Sequence, residues 1–163
     1  MDGRSRGIAL AGVGVVTAGI LLTLALQSGR LASPLGGGRR VIRAGPNTGG
    51  LPYSPGILVG NTLYLAGTIG EDAANSIVPG GIQAETRRAL ANLGEVLNAA
   101  GMTFHDVTSV TVYITSFDDF AEFNKVYQQV FSTDPPARAT VQVAALIGGA
   151  RVELQMIAVG HNP

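Results

Sequence analysis

The sequence predicts an α+β domain of two layers, and three observations predict it. Two segments carry apolar residues at helical spacing, over Ile82–Ala100 and from Ser116 towards Phe131. Short runs rich in Val, Ile, Leu and Tyr flank them, bounded by Gly, Asn and Pro. The elements run β-β-β-α-β-α-β-β, which lays two helices on one face of a mixed sheet of about six strands. No third helix remains to cover the opposite face, although positions such as Val141 and Val143 are apolar there. Self-association through that face is expected.

Residues 1–29 precede the domain. From Gly7 to Gly29 the chain carries no charge, and residues 8–26 are almost wholly apolar, behind Arg4 and Arg6. At about 1.5 Å per helical residue that run matches the hydrocarbon thickness of a bilayer. The expectation is a single-pass membrane anchor; the alternative is a signal segment removed on export. Arg30, Arg39, Arg40 and Arg43 would hold the domain on the cytoplasmic side, whereas the export pathway would place it outside. Residues 30–40, with Gly36-Gly37-Gly38, read as a flexible linker. They lack the G-K-[ST] ending of a phosphate loop.

The folded part is 41–163. Residues 41–44 open the sheet, and residues 57–59 and 63–66 join through Gly60-Asn61-Thr62 as a hairpin. Residues 70–81 read as a loop. In the first helix Ile82, Ala89, Leu90, Leu93, Val96 and Leu97 face the core, and Gly101 stops it. On the side assigned to solvent stand Gln83, Glu85, Arg87, Arg88, Asn92 and Glu95. Val107–Ile114 is a strand, with Val110, Val112 and Ile114 alternating. Ser116 and Asp119 start the second helix, whose aromatic stripe through Phe120, Phe123 and Tyr127 reads as core. Pro135-Pro136 ends it. Val141 and Val143, then Val152, Leu154 and Met156, mark two last strands around Ile147-Gly148-Gly149.

Charge separates the two parts. Lysine plus arginine and aspartate plus glutamate each total 11. Residues 1–43 hold six arginines against Asp2 alone, a balance of +5, and residues 44–163 hold five basic against ten acidic residues, a balance of −5. An acidic domain is ill suited to neutralising a phosphate backbone, so a nucleic-acid partner is not expected. There is no cysteine, hence no disulfide and no thiolate nucleophile. His105 and His161 have no metal-ligand spacing and read as surface residues.

Two charged residues stand in unusual places. Arg138, in P-P-A-R-A-T-V, sits at the mouth of a strand beside a fixed proline pair. Its planar fork of donors fits a carboxylate. Glu153, in V-E-L-Q-M-I-A-V, sits inside a strand apolar on its other face, where a carboxylate can orient or deprotonate water. The plainer reading, favoured by spacing alone, is a structural Arg138–Glu153 ion pair or two unrelated surface charges.

Pro136–Leu154, P-A-R-A-T-V-Q-V-A-A-L-I-G-G-A-R-V-E-L, resembles the signature of the RidA (YjgF-type) family. L-P-Y-S at 51–54, N-T-L-Y-L-A-G at 61–67, G-G-I-Q-A-E-T at 80–86 and F-A-E-F-N-K-V-Y-Q-Q-V-F at 120–131 follow the family order. The resemblance covers about residues 42–160. It implies a chorismate-mutase-like fold, a homotrimer with ligand clefts between subunits, and no cofactor. The implied activity is hydrolysis of reactive enamines, or their 2-imino acid tautomers, to 2-keto acids and ammonia. Carried over by position, Arg138 binds the substrate carboxylate and Glu153 positions water. Tyr53 and Asn124 line the cleft, with Tyr53 expected from the neighbouring subunit, and Gly67 lets backbone approach the ligand. Ala66-Gly67-Thr68 replaces the more usual S-G-Q, Gln155 replaces a frequent acidic residue, and Thr140 a frequent cysteine. These departures bear on substrate range, and they leave open a non-catalytic trimer that binds small carboxylates.

Overall fold

A three-strand meander opens the domain. Arg40–Ile42 (β1) pairs antiparallel with Gly56–Val59 (β2), which turns at Gly60 into Thr62–Leu65 (β3). Gly60 takes φ +59°, a left-handed conformation that costs a glycine nothing and lets the hairpin close tightly. The computed structural model describes residues 38–45, 48 and 50–160, all within one unit, Gly37–Pro163. The expected anchor at residues 8–26, most of the linker and His161 lie outside the described residues. The expected localisation, at a membrane or exported behind a signal, is corrected to what the described residues show: none of their helices is long and apolar enough to cross a membrane.

Thr68–Ile69 (β4) follows, then Gly81–Ala99 (α1), Val107–Ile114 (β5), Phe120–Val130 (α2), Ala137–Gln142 (β6) and Val152–Val159 (β7). The sheet has seven strands in the order β1-β2-β3-β7-β5-β6, and β4 pairs separately with β7. Only β5 and β6 run parallel, because α2 carries the chain back across the layer between them. The mixed sheet with two helices on one side is the α+β architecture expected. β4 is the addition; two residues are too few to show any alternation.

Register assigns the faces. Val110 and Val112 lie opposite Met156 and Leu154, all buried beneath the helices with Leu63, Leu93, Leu97 and Phe123. Each such side chain contributes about 1.5–3 kcal/mol through its removal from water. The intervening positions, Thr111, Tyr113, Glu153, Gln155 and Ile157, face the other way. Among the described residues that face has no covering layer, and Tyr64 and Val141 are 50% and 45% exposed on it.

α1 departs from its expected polar side. Glu85 is only 4% exposed and Asn92 only 2%, and Thr86 is buried beside them. The helix is packed on two sides, against the sheet and against the segment after β4, so its buried arc is wider than the apolar stripe. α2 begins differently too. The Ser116 hydroxyl accepts from the Asp118 N–H at 3.1 Å, while Asp119 turns aside to pair with Arg151 at 3.1 Å. Gly101, at φ +79°, ends the α1 region as its position predicts.

Candidate active site

Glu153 stands on β7 opposite Tyr113 on β5 and Ile69 on β4. β4 ends there, and the segments around it leave a cleft of about 720 Å³. Tyr53, Gly67, Thr68, Glu71, Glu153 and Gln155 are on its wall, with Leu51, Ile77 and Ile147 supplying apolar surface. Gly67 has a steric reason to be glycine, because a Cβ there would occupy the position of the Glu153 carboxylate. The close approach expected of Gly67 is therefore first of all to Glu153. Burial pushes the Glu153 carboxyl above the ordinary carboxylate range. The Tyr53 phenol is also raised, by its own burial and then by the negative fields of Glu71 and Glu153. The Thr68 hydroxyl donates to the Ala66 carbonyl at 3.1 Å, so this side chain is satisfied within the wall.

Arg138 is elsewhere. It is the second residue of β6, at the start of the strand as expected, and lies opposite Val110 on the helix side of the sheet. Its guanidinium stands over the rings of Tyr127, Phe123 and Phe120, at 4.6, 5.6 and 5.7 Å from their centroids. Such stacking is worth roughly 0.5–2 kcal/mol and leaves the edge of the fork free for an anion. The aromatic stripe is thus core on one side and a shelf for the guanidinium on the other. The Tyr127 hydroxyl is buried without a hydrogen-bond partner among the described residues, and burial raises its pKa to about 12 although Arg138 opposes the rise. Asn124 lies one turn from Phe120 and about one turn from Tyr127 on the same helix, at the edge of this shelf.

The expected site residues therefore fall into two groups. Glu153, Tyr53 and Gly67 share the cleft; Arg138 and Asn124 share the shelf. Two strand spacings and three residues of rise put Arg138 and Glu153 roughly 14 Å apart, on opposite faces. They make no ion pair, so the structural salt bridge is absent and one chain cannot apply both residues to one small molecule. Tyr53 shares its cleft with the Glu153 of its own chain.

Three residues of this region escaped the sequence reading. Glu71 shares the cleft wall, and burial followed by the charge of Asp72 raises its carboxyl. Asn92 donates to the Glu71 carbonyl at 3.0 Å, joined there by Arg88 Nε at 2.9 Å. Glu85 accepts the Arg151 backbone N–H at 2.7 Å, two residues before Glu153. A loop position and two polar helix positions carry no periodic signal for such roles.

The fold and the cleft define a small two-layer α+β protein with a half-buried carboxylate in a crevice. Residues 48–160 match the model of the family described as Endoribonuclease L-PSP, and the chain belongs to this family, the RidA/YjgF family. The bovine 2-iminobutanoate/2-iminopropanoate deaminase is 48% identical over 109 residues, which cover 66% of this chain and 80% of that protein. A solved structure from Thermotoga maritima superposes with a TM-score of 0.72 at 37% identity, over 76% of this chain and 98% of that one. The YjgF gene product of E. coli superposes at 0.70 and 31%, over 75% and 99%.

Proposed function

We propose that the chain is an imine deaminase, hydrolysing reactive enamines and 2-imino acids to 2-keto acids and ammonia. The observation that carries this reading is the Glu153 carboxylate, half-buried in a cleft and seated against Gly67, in a chain that is 48% identical over 109 residues to a deaminase of such imines. The working form is a homotrimer. One protomer presents Arg138 and Asn124 at the edge of its shelf, and its neighbour presents Glu153, Tyr53 and Gly67. The uncovered sheet face and the opposite placement of the two charges support this arrangement.

In the reaction the enamine tautomerises to the imine, whose C2 is electrophilic. Arg138 fixes the substrate carboxylate through two parallel N–H donors. Glu153 takes a proton from water as the oxygen bonds to C2 and passes it to the imine nitrogen, giving a carbinolamine. The carbinolamine hydroxyl proton then passes to nitrogen by way of the same carboxylate as C=O forms and the C–N bond breaks, so that ammonia leaves and the keto acid remains. A carboxyl with a raised pKa suits both halves of this exchange near neutrality. Holding water and imine together supplies much of the acceleration, since the imine is already reactive.

Imino acid generated in situ by an amino-acid oxidase tests the proposal. Keto acid must form faster with the protein than with the oxidase alone. Binding without acceleration would instead identify a carboxylate-binding trimer with no catalytic role.

A further inference from the structure

Among the described residues, Glu71 is the one charged residue of the cleft wall besides Glu153, and the mechanism leaves it without a role. It stands two residues beyond Ile69, the strand partner of Glu153, so at most about 7 Å of chain separates the two levels. Its backbone is pinned: Arg88 and Asn92 of α1 both donate to its carbonyl. Its carboxylate, by contrast, makes no hydrogen bond or ion pair with any described residue. Asn75, with a carbonyl and an amide to offer, lines the same cleft, and Leu51, Ile77 and Ile147 give it apolar wall. At about 720 Å³ the cleft exceeds what an imino acid of three or four carbons fills.

These facts fix the direction in which a larger substrate lies. Its carboxylate goes to the Arg138 of the adjoining protomer and its C2 to Glu153, which leaves its side chain to run along the apolar wall towards Glu71. A half-buried carboxylate with no partner attracts a cationic terminus and repels an acidic one.

We infer that Glu71 is a specificity-determining residue, selecting 2-imino acids whose side chain ends in an ammonium or guanidinium group. The inference rests on the deaminase reading of the same site. Methylenes of such a side chain lie on Leu51, Ile77 and Ile147, and the charge pairs with Glu71. The pairing is made equally in ground and transition states, so it acts on KM more than on kcat.

The test uses imines produced by an amino-acid oxidase from arginine, leucine and glutamate, with the full-length chain and its Glu71→Gln variant. Gln keeps the shape, and the carboxylate it replaces holds no contact that the fold needs. The wild-type kcat/KM is expected to favour the arginine imine over the leucine imine at least tenfold, with the glutamate imine slowest. Glu71→Gln is expected to lower the arginine-to-leucine ratio at least tenfold, mainly through KM. Turnover of the leucine imine with no such preference, or a ratio unchanged by the variant, would overturn the role of Glu71 while leaving the deaminase standing. Failure to hydrolyse any of the three would remove the deaminase reading and this inference with it.

Discussion

Replacing the hydrogen of Gly67 by a methyl group puts carbon where the Glu153 carboxylate now rests. The backbone tolerates alanine there, since Gly67 has no positive φ, so the carboxylate must swing away. A displacement of about 1 Å from a reacting group can cost a hundredfold in rate, and Gly67→Ala is expected to lose on that order of kcat/KM with little change in melting temperature. On the proposed mechanism Glu153 also sets the pH behaviour. Burial raises its carboxyl above 4.5, so the acid limb of kcat/KM should have its midpoint above that value, in a pH–rate profile with an imine substrate. For stability the sign runs the other way. A carboxyl raised in the folded state stabilises the fold below 4.5, and the contribution disappears as pH rises through the raised value. Glu153→Gln, which stays neutral, should therefore exceed the wild type in stability at pH 7 and match it near pH 4. The gain should be under about 1 kcal/mol, because solvent screens a half-exposed group. Urea unfolding at the two pH values measures it.

β7 carries Glu153, and the start of this strand is held by α1. The Glu85 carboxylate, 4% exposed, accepts the Arg151 N–H at 2.7 Å. Glu85→Ala strands that donor and is expected to cost about 1–3 kcal/mol in urea unfolding, with turnover falling as Glu153 loses its fixed position. Periodicity in the sequence located α1, the β2–β3 hairpin, β5 and β7, because burial of one stripe or one face leaves a repeat that can be counted. It missed β4, too short to repeat, and it assigned Glu85 and Asn92 to solvent. A polar side chain satisfied by distant backbone looks, in sequence, like one satisfied by water. Arg138 and Glu153 were legible as charges in apolar strands, and resemblance gave them roles. Their faces were not legible, since those depend on which strands pair and in what register.

At the scale of the whole molecule, the register and the exposed sheet face lead to one arrangement. A substrate small enough to be held by one guanidinium and attacked by one water cannot bridge the roughly 14 Å and the sheet that separate Arg138 from Glu153 in a chain. On the proposed mechanism two protomers meet, and Tyr64 and Val141, half exposed and uncharged on the open face, give them apolar surface on which to do so. The −5 balance of residues 44–163 is compatible with such contact, because the exposed apolar positions lie on a face whose central strands hold few charges. The composite site makes a prediction that no single-chain site shares. Arg138→Ala and Glu153→Gln should each be inactive as pure trimers, since every site then lacks one partner. Unfolded together in equal amounts and refolded, they should regain activity, because an interface pairing Arg138 from the Glu153→Gln chain with Glu153 from the Arg138→Ala chain is intact. With random assembly into closed rings, half the interfaces draw their arginine side from the competent chain and half of those draw a competent glutamate side, so about a quarter of wild-type activity should return. Were both residues to act within one protomer, mixing would restore nothing, and the measured activity of the refolded mixture would stay at the level of its parents.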